Sequence, residues 1–179
     1  MADQNKKSEG FKKKEDLPQK AEKLQDEFEE RTVSVNRSSK TVKGGRNFSF
    51  SALVVIGDKA GRIGMGMGKA NEVADAVRKA GEHARRNVVR VNMNGSTVTH
   101  PVYVKFGAAK IMIRPASLGT GVLAGKNMRP VLELAGIKDV LAKSLGSCNP
   151  VNVVKATFQA LQKLRTRGEV LAKRDRSAL

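Results

Sequence analysis

From Thr32 onward the apolar residues first recur with a period of two. Val33 and Val35 alternate with polar neighbours, and after a polar break, RSSKTVKGGR, come Phe48, Phe50, Ala52 and the run Leu53 to Ile56, which ends at the turn GDKAG. A third segment, RIGMGMGK, places Ile63, Met65 and Met67 on one side and Gly64, Gly66 and Gly68 on the other. This alternation predicts three strands, and a strand face made only of glycine predicts close approach by another backbone. The period then lengthens. Val73, Ala76, Val77, Ala80 and Ala84 recur at spacings of three and four, the stripe of a helix packed on a sheet, with Asn71 as its expected N-cap and Glu72 and Asp75 at the positive end of its dipole. Its far side carries Arg78, Lys79, Glu82, Arg85 and Arg86. The first unit therefore reads βββα.

A second unit begins after Asn87. VVRVNM and STVT flank Asn94-Gly95, the signature of a hairpin with a two-residue turn, and Val102 to Phe106 continues its second arm. KIMIRP is a further strand, stopped by Pro115. The glycine-rich SLGTGVLAG leads to a short helix holding Met128, Val131, Leu132 and Ala135, closed by Gly136. Asp139 to Leu145 supplies a strand, and Asn149-Pro150 starts a last helix with Val154, Phe158 and Leu161 inward. The tail GEVLAKRDRSAL is expected to fray. The pattern gives an α+β protein of two small α/β domains, residues 32–87 and 88–168, the second reading βββαβα. Residues 1–31 are expected to form a charged arm, disordered or a marginal solvated helix with one weak stripe of Leu17, Leu24 and Phe28, and residues 169–179 a basic tail.

Charge changes the picture more than any single motif. The chain of 179 residues has a formal net charge of +17. Up to Arg31 there are eight Lys or Arg against nine Asp or Glu, so the remainder holds 26 cations against eight anions. The whole excess lies in the foldable part, far above the magnitude of about 2–8 that solubility asks of a small domain. Such self-repulsion requires a polyanion. A membrane surface is the poorer candidate, because no apolar run approaches the roughly 18 residues of a spanning helix and MADQNKKSEG has no signal-peptide core. Nucleic acid is expected, read through backbone and shape, since Trp is absent and Phe and Tyr together number seven. Within RSSKTVKGGR, Arg37, Lys40, Lys43 and Arg46 surround Gly44-Gly45 and are the expected phosphate contacts, joined by Lys69, Arg85 and Arg86.

Enzymatic signals are incomplete. GMGMGK lacks the third glycine of the dinucleotide fingerprint, where Lys69 stands, and the Walker pattern fails at Ile63 and Ala70. PASLGTGVLAG resembles the phosphate loop of the galactokinase and homoserine kinase type, but Val122 and Leu123 stand where that loop has serines. His83 and His100 have no partners at metal-ligand spacing. Cys148 is alone, so no intrachain disulfide is possible, and it is expected to be buried or half-buried. No catalytic residue, metal or cofactor is expected.

Taken in order, NRSSKTVKGGRNFSFSALVVIGD, GRIGMGMGKANEV, HARRN, RPASLGTGVLAG, MRPVLELAG and GSCNPVNVVKAT resemble the family of the fifth protein of the bacterial small ribosomal subunit, over Val33 to Leu164. The resemblance implies a first domain similar to double-stranded-RNA-binding domains and a second with a left-handed crossover. It implies binding of small-subunit rRNA in the cytoplasm, a place on the path by which mRNA enters, and the third, fourth and eighth small-subunit proteins as neighbours. Ser39, Lys40 and Gly45 match positions whose alteration confers spectinomycin resistance. Gly121 and Arg129 match the interface with the fourth protein, which affects decoding accuracy. Leu118 departs from the family's usual Glu, Lys126-Asn127 from a pair of small residues, and the arm is longer than usual. A free-standing RNA chaperone or regulator is the alternative that shares the charge.

Overall fold

The computed structural model describes residues 28–174. In the first unit β1 (Glu29–Val42), β2 (Gly45–Gly57) and β3 (Arg62–Ala70) form an antiparallel meander, and α1 (Val73–Arg86) follows. A short β4 (Val88–Arg90) then pairs with β3, completing a sheet of order β1-β2-β3-β4. The sequence pattern assigns Val88 to the second unit, and the pairing returns it to the first. β1 also begins at Glu29 rather than Thr32. The charged residues Glu29, Glu30 and Arg31 lie opposite Gly57, Ile56 and Val55 and find ionic partners in Lys59, Arg85 and Glu133, which a linear hydropathy pattern does not register. Phe28 packs against the α1 side of the sheet, while Leu17 and Leu24 lie outside the described residues.

The polar stretch 37–46 is not a break. Both strands continue to the pair Val42 and Gly45, leaving Lys43-Gly44 as a two-residue turn. The glycine face of β3 behaves as its sequence demands. A Cβ at Gly64, Gly66 or Gly68 would fall on the carbonyl oxygens of Ala84, Ala80 and Ala76 respectively. Four helical residues advance about 6 Å and two strand residues about 6.6 Å, so this ladder of contacts stays in step for three rungs. The start of α1 differs from the expected one. Asn71 does not cap it: Glu72 is the N-cap, without a side-chain cap bond, its carbonyl accepting from Ala76 N at 3.1 Å.

The second unit has five strands before its first helix and two helices at its end, so the expected order βββαβα is met only between Val102 and Gln162, and from partly different segments. β5 (Met93–Asn94) and β6 (Thr97–Val98) form a separate hairpin whose turn is Gly95-Ser96, because Asn94 pairs with Thr97. The three strands between that hairpin and the helix are β7 (Val102–Phe106), β8 (Ala109–Pro115) and β9 (Val122–Leu123), the last inside the glycine-rich segment. Then come α2 (Arg129–Ala135), β10 (Val140–Ser144), α3 (Pro150–Gln162) and α4 (Arg167–Ala172). The sheet order is β7-β8-β10-β9, with β10 antiparallel to β8 and parallel to β9 across α2. Asn149 caps α3 by accepting from Val151 N at 3.1 Å. The first part of the tail expected to fray, up to Ala172, belongs to α4 instead, held by a capping box in which Thr166 and Glu169 bond each other's backbone N–H groups. Cys148, expected to be at least half-buried, is exposed in the loop before α3.

These elements stack in layers. α1 covers one face of the first sheet through Ala52, Val54, Ile56 and its own alanines. The other face, with Leu53, Val55 and Ile63, shares one core with Val131, Leu132 and Leu134 of α2, Val154 and Leu161 of α3, and Ile111 and Ile113 of the second sheet. The junction is also made by backbone. Leu134 and Ala135, at the end of α2, offer carbonyls that no helical N–H can reach, and Lys59 N and Gly61 N of the β2–β3 turn donate to them at 3.0 and 3.1 Å. Gly136 follows in the left-handed conformation, φ 90°, and a Cβ there would strike the Lys59 carbonyl.

The Gly66→Ala variant is expected to destabilise by at least about 1–3 kcal/mol through overpacking against a backbone that cannot yield, a fall in Tm of roughly 2–12 °C for a domain of this size. Gly168→Ala, where an added Cβ meets nothing, is expected to leave Tm unchanged or raise it. Thermal unfolding of the two variants side by side checks this; equal behaviour would refute the close-approach account.

Candidate nucleic-acid interface

Because β3 pairs with β2 only from Phe50 onward, the segment from Arg37 to Ser49 stands clear of the sheet as a two-stranded ribbon. At about 3.4 Å per residue it reaches roughly 20 Å beyond the third strand. Directly opposed residues share a face, so Arg37, Ser39, Thr41, Arg46 and Phe48 lie on one side and Ser38, Lys40, Asn47 and Ser49 on the other. Every residue from Arg37 to Phe48 is exposed. The ribbon thus has no core side. Its cations are distributed to both faces and, at Lys43, to the tip.

Local contacts order it without neutralising it. The Arg37 guanidinium lies 3.7 Å from the centre of the Phe48 ring, a cation–π contact that the sequence reading missed, although one Arg and one Phe on a common strand face are its natural signal. Ser38 and Ser49 bond across the strands, Oγ to Oγ at 2.8 Å. Among the described residues, Lys40, Lys43 and Arg46 make no ion pair. Ser39 and Lys40 lie on opposite faces of the ribbon, and Gly45 is in its turn region.

The other expected contacts are scattered. Lys69 is exposed, but Gly68 faces α1, so alternation places Lys69 on the opposite side of β3 from the helix. Arg85 is engaged internally by Glu30 at 2.6 Å, so part of its charge is already answered. Arg86 is exposed and edges a groove of about 610 Å³ between the two units, together with Lys155 and Phe106. His83 bonds the Met67 carbonyl through Nδ1 at 2.8 Å, and no cluster suited to a metal ion occurs among the described residues.

Gly121 lies within the glycine-rich loop of the second unit, and Arg129 follows it. Asp139 organises that loop, a residue the sequence reading passed over as the start of a strand. Its carboxylate is almost wholly buried and accepts from Gly121 N at 3.0 Å and from Ser96 Oγ at 2.8 Å. The Gly121 N–H holds its pKa below the ordinary carboxylate range, aided by the Ser96 hydroxyl and, against the effect of burial, by the N–H groups of Gly119 and Thr120. The loop that resembles a kinase phosphate loop therefore points its amides at an anion supplied by its own chain. A single acid in the apolar segment IKDVLA was the available clue. Arg129 is exposed at the first turn of α2, whose start is tied back to the loop by Gly125 O.

Two packed α/β units carrying an exposed cationic ribbon that lacks a core side define the class as a basic α+β protein with a surface suited to a polyanion. Residues 28–92 match the family described as ribosomal protein S5, N-terminal domain, and residues 104–174 the one described as ribosomal protein S5, C-terminal domain. A protein of Chloroflexus aurantiacus named small ribosomal subunit protein uS5 is 58% identical over 149 residues, 83% of this chain and 84% of that one. Its namesake from Protochlamydia amoebophila is 53% identical over 163 residues, 91% and 98% of the two chains. The chain belongs to the ribosomal protein S5 family.

The Asp139 account has a pH signature. A folded-state pKa below the unfolded value of about 3.9 means that the carboxylate stabilises fully above that value, and that this stability is lost as the pH falls through the folded pKa. Asp139→Asn is therefore expected to lower Tm at neutral pH, with the gap to the parent closing below about pH 4. Tm measured from pH 7 down to pH 2 checks it; a gap independent of pH would show that the charge is immaterial.

Proposed function

We propose that this chain is a structural constituent of the small ribosomal subunit that binds small-subunit rRNA without catalysing a reaction of its own. The carrying observation is the ribbon from Arg37 to Phe48. It is exposed on both faces, it has cations on both faces and at the tip, and those at Lys40, Lys43 and Arg46 have no ionic partner among the described residues. A two-stranded ribbon is marginal by itself, and one with cations on each side fits insertion between RNA segments, where phosphates flank it from two directions. The names of the related proteins and the net charge of +17 support the same reading. No helix among the described residues is long and apolar enough to cross a membrane.

The finer proposal follows the family resemblance. The ribbon lies between RNA segments of the subunit, and changes at Ser39, Lys40 or Gly45 alter the response to spectinomycin. The Gly121 loop and Arg129 meet the fourth small-subunit protein and thereby influence decoding accuracy, with Asp139 keeping the loop in one shape. The third and eighth proteins are further neighbours, and the chain helps to line the path by which mRNA enters.

Lys40→Glu/Lys43→Glu in the full chain is the direct test. Each phosphate contact contributes about 0.7–0.9 to the slope of log affinity against log salt, so losing two should reduce the slope for a small-subunit rRNA transcript by roughly 1.4–1.8. Incorporation into subunits should fall with it, while thermal unfolding stays near that of the parent. Wild-type incorporation would remove the ribbon from the account. A free RNA chaperone would instead bind RNA through the ribbon yet leave the subunit in a high-salt wash.

A further inference from the structure

The layering leaves one large face uncovered. α1 and α2 pack on opposite faces of the first sheet, and α3 packs on the inner face of the second, whose Val104, Ile111, Ile113 and Val140 are buried. No described element covers the outer face of that sheet. The register assigns its occupants: Tyr103 beside Met112 beside Lys143, Lys105 beside Lys110, and Arg114 beside Leu141. Lys105, Lys110, Arg114 and Lys143 are exposed, and Tyr103 is 57% exposed at the edge strand. No carboxylate interrupts the face, and among the described residues none of its four cations has an ion pair.

A merely solvated face looks different in this same molecule. On α1, Arg78 is answered by Asp75 and Glu82 one turn away on either side. On the second sheet, by contrast, Lys105 stands directly opposite Lys110, an arrangement that repels across a strand pair. A groove of about 1030 Å³ edged by Lys163, Arg165 and Arg167 adjoins Tyr103 and prolongs the positive surface past β7. Lysine is depleted from protein–protein interfaces, so a lysine-rich face with a small apolar centre suits RNA better than a protein neighbour.

Resting on the rRNA-binding reading above, we propose that the outer face of β7, β8 and β10 is a second RNA-binding surface, separate from the ribbon. It takes an unpaired or looped stretch of RNA. Phosphates lie on Lys105, Lys110, Arg114 and Lys143, the apolar centre at Met112 and Leu141 accommodates base surfaces, and one base stacks on Tyr103.

The test uses the full chain and a small-subunit rRNA transcript, with affinity measured between 50 and 200 mM salt. Lys110→Glu/Lys143→Glu should reduce the salt slope by roughly 1.4–1.8, additively with the ribbon variant. Lys110→Gln/Lys143→Gln, which introduces no new charge, should give the same slope change and guards against misfolding of the first. Tyr103→Ala should weaken binding roughly 5- to 150-fold with an unchanged slope, and Tyr103→Phe should restore it. Parental affinity and slope in both lysine pairs, while the ribbon variant weakens, would overturn this proposal and leave the ribbon's role standing. Indifference of both surfaces would overturn both. Parental RNA affinity combined with loss of retention in assembled subunits would assign the face to a neighbouring protein and refute the RNA surface.

Discussion

The arrangement of this protein depends on how the last turn of α2 ends. A helix terminus leaves carbonyls without helical donors, and burying them unpaired would cost on the order of 1–3 kcal/mol each. Here Lys59 N and Gly61 N, from the turn between β2 and β3, answer Leu134 and Ala135. The terminus of one unit is thus completed by the other. Gly57 and Gly136 permit it, since a Cβ on either would fall on the facing backbone, at Leu134 and Lys59. The turn is itself braced by Asp58, which accepts from Ala60 N at 2.8 Å and Arg62 N at 2.9 Å. Burial works to raise the pKa of Asp58, but the Arg62 guanidinium and these two amides outweigh it and leave the carboxylate below its ordinary range.

Ionic contacts gather at the same place. Glu29 with Lys59 and Arg31 with Glu133 lie around the junction, and Arg85 with Glu30 ties α1 to the start of β1. Few carboxylates exist beyond Arg31, and several are used for internal assembly. The ribbon and the outer face of the second sheet are left with cations alone. Because the junction fixes the two units, those surfaces are held in one relative orientation. A polyanion that meets both would meet a preset geometry rather than a flexible pair, which lowers the ordering cost of association.

The glycine-rich loop shows how tertiary context redirects a local motif. Amides at Gly119, Thr120 and Gly121 are suited to an anion, which is why the sequence resembles a phosphate loop. Asp139, brought alongside by the pairing of β9 with β10 and by Ser96 of the β5–β6 hairpin, supplies that anion from within. The same backbone chemistry then serves to shape a loop rather than to hold a nucleotide.

Much was legible in the linear pattern. Alternation gave the strands, the glycine face of β3 announced the closeness of α1, and Asn149-Pro150 marked the start of α3, because each of these depends on residues near in sequence. Motifs in fixed order also indicated the family. Most of the misread strands share one cause. Glu29–Arg31 become strand, Val88–Arg90 leave the second unit for the first and Val122–Leu123 become an edge strand, all because distant backbone groups pair with them, while the polar ribbon extends to its tip by pairing its own two arms. Hydrogen bonds between remote strands, and the meeting of Asp139 with Gly121, are set by which faces the core brings together. A one-dimensional pattern specifies the faces; only packing in three dimensions decides which of them meet.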